Sequence, residues 1–139
     1  IHVRRGDYLE PKYWKTTGCV CQLPYYLNAI AEMNKRISQP SYYVFSDDIA
    51  WVKENLPLPK AFFIDWNKGA ESWQDMMLMS RCRHHIICNS TFSWWGAWLN
   101  PRENKTVIMP ERWFRHCETP DICPDKWIKV PINQPDSIQ

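Results

Sequence analysis

The sequence predicts a single α/β domain, a Rossmann-like parallel sheet with helices on both faces. Three observations point to it. Short apolar runs alternate with stretches of helical periodicity along most of the chain. The length of 139 residues, 45% of them hydrophobic, suits one compact core. Eleven prolines against four glycines indicate ordered loops rather than flexible linkers, so residues 1–139 read as one domain.

The elements follow in order. Ile1 to Arg5 reads as a strand, and Gly6 to Gln22 as a loop rich in turn and polar residues. Pro24 suits the first turn of a helix, where its missing N–H has no intrahelical partner to lose. Leu27, Ile30, Ala31 and Ile37 give that helix its apolar stripe. Tyr42 to Phe45 reads as a buried strand. Ser46-Asp47-Asp48 is a helix N-terminal signal, and Pro57 and Pro59 stop that helix after Leu56. Ala61 to Ile64 is the third strand. Glu71 to Cys82 is a helix with Trp73, Met76, Met77 and Ser80 on one face. Ile86 and Ile87 lie in the fourth strand, and Asn89-Ser90-Thr91 leads into a helix ending near Leu99. Val107 to Met109 is the fifth strand. From Pro110 the chain reads as irregular and aromatic, with a short apolar stretch at Trp127 to Val130.

Composition narrows the function classes. A net charge of +2 gives no reason to expect nucleic acid or an anionic membrane as the main partner, so any positive site has to come from local clustering. No apolar run approaches the roughly 18 residues that span a bilayer. The chain opens inside a strand at Ile1, which reads as a fragment of a longer protein. Six cysteines admit disulfides or zinc. Cys82 to Cys88 mixes cysteine and histidine, but it alternates like a buried strand, which sends neighbouring ligands to opposite faces. Buried free thiols are the expected state, with a disulfide or metal clip at Cys117 and Cys123 unsupported. The nine tryptophans suit packing, with a sugar-stacking role open for a few.

In a doubly wound sheet, ligands bind beyond the carboxyl ends of the strands. The positions that matter are therefore Arg4 to Asp7, Ser46 to Asp48, Asp65 to Asn67 and Asn89 to Ser93. His2 and Arg4 share one face of the first strand, and Arg5 faces the other way unless the strand breaks there. Arg4 and Arg5 beside Gly6 suit a phosphate, because a guanidinium pairs two phosphate oxygens at once. The same residues also read as a solvated basic strand end with one salt bridge. Ser90, Thr91 and Ser93 open a helix whose free N–H groups suit an anion, and N-capping alone explains one of them. Asp75, one turn from Glu71, offers a carboxylate matching the N1–H and N2–H₂ edge of guanine. It also reads as an exposed first-turn acid favoured by the helix dipole.

His2-Val3-Arg4-Arg5-Gly6-Asp7-Tyr8 resembles the first motif of the α1,2-fucosyltransferases and of their α1,6- and protein O-fucosylating relatives. Phe45-Ser46-Asp47-Asp48 and the run from Ile86 through Ser90-Thr91-Phe92-Ser93-Trp94-Trp95-Gly96-Ala97-Trp98 to Leu99 resemble later motifs of the α1,2 family. The order and spacing are similar from Ile1 to about Val130. The sequence is most similar to bacterial members of this glycosyltransferase family 11 type. The resemblance implies the donor-binding half of a GT-B enzyme that moves fucose with inversion from GDP-β-L-fucose to the 2-hydroxyl of a terminal β-galactoside, without metal or other cofactor. It implies that Arg4 grips the β-phosphate with Arg5 in support, and that His2 and Asp75 hold the nucleoside, Asp75 reading guanine. It also implies that Asn89, Ser90, Thr91, Phe92 and Ser93 line the donor site. Asp7 and Glu10 are the nearest acids to serve as a general base.

Two departures stand out. The family's other half, which carries most acceptor contacts, is absent, and the loop after the first motif is long, with Cys19 and Cys21. The Trp-Trp-Gly-Ala-Trp run favours the α1,2 branch over α1,6 or protein O-fucosylation. A non-catalytic nucleotide-sugar or glycan-binding module and a zinc-binding domain are the alternatives from other classes. The resemblance to bacterial members also implies a cytoplasmic setting, peripheral to the inner membrane, which fits cysteines with no obvious pairing.

Overall fold

A computed structural model describes residues 1–18 and 20–133 of the chain. The elements are β1 (His2–Val3), α1 (Leu23–Arg36), β2 (Tyr42–Ser46), α2 (Ile49–Asn55), β3 (Ala61–Ile64), α3 (Trp73–Arg81), β4 (His85–Ile86), α4 (Thr91–Trp98), β5 (Val107–Pro110) and β6 (Ile128–Val130). The predicted first loop contains two 3₁₀ turns, Asp7–Leu9 and Pro11–Tyr13.

All strand pairs are parallel, as the strand–helix alternation requires. They form two three-stranded sheets, β1-β2-β3 and β4-β5-β6, where one continuous sheet was expected. Laid end to end, the strands follow the doubly wound order 3-2-1-4-5-6. β1 and β4 contribute only two residues each to their ladders. Their junction is bridged by side chains, with His2 Nδ1 3.5 Å from Cys88 Sγ. One core runs under both sheets, since Val3 and Val44 cluster with Ile86, Ile108 and Val130.

Period-two alternation covers both faces with helices. Val44, Ile86 and Ile108 face α1 and α2, meeting Tyr26, Ile30, Met33 and Val52. Phe45 and Ile64 face the other way, onto Met79 of α3. Ile87, Val107 and Met109 face Ala97 and Trp94 of α4, with Trp113 and Trp127 closing the cluster. Much of the tryptophan excess is spent here, where Trp94 stacks on Trp98 at 5.0 Å.

The structure corrects several expectations. The α1 stripe is Tyr25, Tyr26, Ala29, Ile30 and Met33, spaced as one helical face; Ala31 is exposed. The tyrosines carry the burial that the sequence reading gave to Leu27 and Ala31. The first strand ends at Val3, because the Arg5 N–H donates to Asp47 Oδ1 at 2.9 Å instead of continuing a ladder. α3 starts at Trp73, and its expected face holds only in part: Ser80 is buried, but Trp73 is 60% exposed and Met77 43%, and Met79 is buried instead. Of the five described cysteines, all unbridged, only Cys88 is buried and Cys117 is exposed. Cys19 lies outside the described residues. In the Cys82–Cys88 segment, the His84 ring accepts from the Thr106 N–H, His85 meets Asn100 and Cys88 meets His2.

The reason for the α3 rotation is its neighbour. Gly96 of α4 lies so close that a Cβ there would stand 2.9 and 3.0 Å from Met79 atoms. Gly96→Val should therefore cost about 1–3 kcal/mol by overpacking. Thermal melting checks this, and an unchanged midpoint would mean that α3 and α4 part freely.

α2 forms as predicted. The Asp48 carboxylate accepts from the Trp51 N–H at 3.1 Å, and the Ser46 hydroxyl accepts from the Asp48 N–H at 2.9 Å.

Candidate functional site

The carboxyl ends of β1, β2 and β3 and the start of α4 converge on one cleft of about 800 Å³. This is where a parallel sheet leaves space, because the chain turns away from each strand end in a different direction.

Arg4 leaves β1 into this cleft. Its Nε and Nη2 donate to Asp7 Oδ1 at 3.1 and 2.9 Å, and its Nη1 lies 3.5 Å from Asp47 Oδ2. The side chain is 37% exposed, so its outer face remains open to a ligand. Asp47 braces the turn, since its other oxygen takes the Arg5 N–H. Gly6 makes that brace possible: a Cβ there would sit 2.4 Å from Asp47 Oδ2. Gly6→Ala should push the Asp47 carboxylate off both partners and cost about 1–2 kcal/mol from lost charged hydrogen bonds. Urea unfolding reads this, with Asp47→Asn as the comparison. No loss in the glycine variant would show that the aspartate moves without consequence.

The other walls come from β3, α3 and α4. Asp75, in the first turn of α3, accepts from Asn67 Nδ2 at 2.7 Å, and both line the cleft. Ser90 and Phe92 line it at the start of α4. Ser90 holds the N-cap position without a side-chain cap bond, so its hydroxyl is not committed to the helix end. Phe92 packs against His2, ring centroids 5.7 Å apart. Tyr8 closes one side and anchors its loop by donating its hydroxyl hydrogen to the Asn89 carbonyl at 3.1 Å.

His2 is buried, and burial lowers its pKa to about 3, so its ring is neutral. Burial also raises the Cys88 thiol to about 11, keeping it protonated. The protonated thiol and the neutral ring lie within hydrogen-bond distance of each other, Sγ to Nδ1 at 3.5 Å.

Of the residues expected at the site, the structure brings His2, Arg4, Asp7, Asp75, Ser90 and Phe92 together around the cleft. The others lie elsewhere. Arg5 turns to α2, donating to Asp48 at 3.2 Å with its guanidinium 3.9 Å from the Trp51 ring centroid. Glu10 is exposed and paired with Lys12 at 2.8 Å. Asn89 is buried and ties two loops by donating to the Thr17 and Trp113 carbonyls. Ser93 is buried and accepts from the Cys88 N–H at 3.2 Å. Thr91 is exposed at the first turn of α4.

Sequence reasoning had followed Asp47, Asp65 and Asn67 only as strand-end positions, and it missed Tyr8 and Lys68. Lys68 lines the cleft from the loop before Gly69, whose φ of 56 favours glycine. A basic residue beside a glycine just past a strand end was the available signal. Asp7 and Asp47, paired with Arg4, line the cleft together with Asp65, Asp75 and Lys68. An anion binding at Arg4 would therefore lie among hydrogen-bond acceptors, and it needs donors from Ser90, Lys68 or backbone N–H groups. No cluster of three or more metal-ligating side chains occurs among the described residues.

Comparison with known proteins gives a consistent family. The model of glycosyl transferase family 11 matches residues 1–130. An alpha-1,2-colitosyltransferase of Escherichia coli is 37% identical over 134 residues, covering 94% of this chain and 46% of that protein. The O-antigen biosynthesis glycosyltransferase WbnK of Escherichia coli is 37% identical over 131 residues, covering 94% and 43%. A galactoside alpha-(1,2)-fucosyltransferase 1 of Saimiri boliviensis boliviensis is 35% identical over 103 residues, covering 71% and 28%. The chain thus spans less than half the length of these relatives. No solved structure matches it at a significant level.

Proposed function

The chain belongs to glycosyl transferase family 11, and from that premise we propose that it forms the donor-binding half of a GT-B enzyme transferring L-fucose from GDP-β-L-fucose to the 2-hydroxyl of a terminal β-galactoside. The observation that carries this reading is Arg4, held just past a strand's carboxyl end by two carboxylates and lining the same cleft as Ser90 at the start of α4. That is an arrangement suited to a pyrophosphate.

In the proposed reaction, the acceptor oxygen attacks the anomeric carbon from the face opposite the phosphate. The bond from that carbon to the β-phosphate oxygen breaks, and GDP leaves with its added negative charge. Arg4, Lys68 and the α4 N-terminus offset that charge, more strongly in the transition state than before it. Asn67 and Asp75 meet the guanine edge, Asp75 accepting from the base. The neutral His2 contributes an uncharged ring to the cleft wall beside Phe92. The acceptor proton passes to a base, and of the two acids considered from sequence Asp7 lines the cleft whereas Glu10 pairs with Lys12 outside it.

The similarity to an alpha-1,2-colitosyltransferase favours a second reading, in which colitose rather than fucose is the transferred sugar. The test is calorimetric titration with GDP, GDP-fucose, the corresponding colitose donor and UDP. Binding of GDP without UDP supports a guanine-reading donor site, and the stronger of the two sugar donors names the substrate. Equal binding of UDP removes the guanine assignment to Asp75. No nucleotide binding to folded protein removes the donor-site reading.

A further inference from the structure

We propose that the chain forms a weak two-fold dimer, pairing its β3 edge antiparallel with β3 of a second copy. Laid end to end, the two sheets leave β3 and β6 as outer edges. β6 carries an exposed Lys129 at its middle position, a charge of the kind that keeps an edge strand from pairing. β3 reads Ala61-Phe62-Phe63-Ile64, with no charge, proline or glycine within it. Among the described residues it pairs only with β2.

One face of this edge is bare where α3 stops. Phe45 and Ile64 are packed against Met79 of α3. Tyr43 and Phe62 lie two residues earlier on the same two strands, so they point to the same face. They are 47% and 54% exposed and stack on each other, ring centroids 5.1 Å apart. Trp66, 64% exposed, and Leu78 line the same hollow as Tyr43.

The alternation of backbone groups fixes how a second copy fits. The Tyr42 N–H donates to the Lys60 carbonyl at 2.7 Å, so Lys60, Phe62 and Ile64 turn their backbone groups toward β2. Ala61 and Phe63 therefore turn theirs outward. A two-fold axis perpendicular to the sheet, beside Phe62, sets Ala61 of each copy opposite Phe63 of the other as a hydrogen-bonded pair. Phe62 then meets its own counterpart at a non-hydrogen-bonded position, where facing side chains come closest. The result is a row of four rings, Tyr43 and Phe62 from each copy, across one continuous sheet. Pro59, next in register to bond outward, has no N–H and ends the ladder. Pairing consumes the uncharged outer edge, so the assembly closes at two copies.

The area sets the strength. At about 200 Å² for each aromatic side chain, Tyr43, Phe62 and Trp66 expose about 300 Å² per copy, roughly 600 Å² for two. Leu78 and the strand backbones raise this toward about 1,000 Å², the threshold of a specific interface. The expected dimer dissociates at roughly 10–100 µM.

Sedimentation velocity of the whole chain over a concentration series tests the pairing. Phe62→Lys and Phe62→Glu each set like charges against each other on the axis and should raise the dissociation constant roughly 30-fold. Phe62 is exposed, so either variant at low concentration should melt like the parent. An equimolar mixture of the two variants should dimerise again, because the new charges are then opposite in sign. Tyr43→Ser, one strand in from the axis, should weaken the dimer about five-fold without any charge. Four results would each overturn the proposal: a parent that stays monomeric, growth beyond two copies, a dimer indifferent to the Phe62 substitutions, or a mixture that stays monomeric. The last would leave the edge to an extended segment of a different protein, which has no reason to prefer the mixture.

Discussion

Replacing Arg4 with alanine should weaken GDP binding by roughly 200-fold, about 3 kcal/mol, while leaving the fold intact. Two charge-assisted hydrogen bonds from one guanidinium to phosphate account for that magnitude. The effect has a second source in this cleft. Without Arg4, Asp7 and Asp47 face the ligand with no cation between them, so phosphate meets bare repulsion. The fold should survive because Arg4 is more than a third exposed and its ion pairs are screened by water. Arg4→Lys keeps the charge and loses the planar fork, so its affinity should fall between the two. Calorimetry with GDP reads all three proteins. A folded Arg4→Ala variant that binds GDP as well as the parent would sink the phosphate assignment.

Acidification should unfold the protein well before its carboxylates titrate. His2 and His85 are both lowered by burial to about 3. No carboxylate offsets either ring; the Ile1 ammonium adds positive charge near both, with Arg4 near His2 and Lys105 and Arg102 near His85. Hydrogen bonding holds His85 neutral as well. The Asn100 Oδ1 accepts from the Arg102 N–H at 3.0 Å, so its Nδ2 faces His85 Nε2 at 2.9 Å. That nitrogen must accept, and a protonated ring would set two donors against each other.

The sign follows from linkage. The folded pKa values lie below the ordinary 6.5, so between 6.5 and about 3 the unfolded chain binds more protons. The histidine contribution is full above 6.5 and is lost as pH falls across that window, by about 1.4 kcal/mol per pH unit for each histidine at its steepest, after the buried Ile1 ammonium, lowered from 8.0 to about 6, has taken its own share between those two values. Glu32, lowered by the side chain of Arg36, loses its contribution in the same direction but only below its ordinary 4.5. The interval from about 6 to 4.5 therefore isolates the histidines. Urea midpoints across it should fall steeply in the parent, and His85→Gln should lessen the slope, leaving the shares of His2 and of His84, which burial also lowers. A flat profile would mean that the rings accept protons without disrupting the fold.

The fold and the site differ in how much of each could be read from residues alone. Where one local rule decides, the reading and the structure agree. Asp48 caps α2, Pro24 opens α1, and β3 runs from Ala61 to Ile64 as the apolar run implies. The motif around Arg4 pointed to the family, and Asp75 and Ser90 line the cleft with it. The reading failed where the answer depended on a distant neighbour. Met79 is buried, packed closely against Gly96 of the neighbouring helix, while Met77 is exposed. Asn89 and Ser93 looked like ligand contacts, yet they satisfy backbone groups of loops and strand ends far away in sequence.

The sequence by itself determined the strand–helix alternation, the parallel pairing that follows from it, and the family. Each of these rests on periodicity, caps or short motifs, which act within a few residues. Only the tertiary structure decided which polar side chains around those motifs face the cleft and which brace it. Arg4 and Arg5 are adjacent and chemically identical. One opens into the cleft between Asp7 and Asp47 while the other packs on Trp51, because the strand ends where Asp47, 42 residues away from Arg5, takes its backbone N–H. Long-range hydrogen bonds and packing set such choices, and no local pattern encodes them.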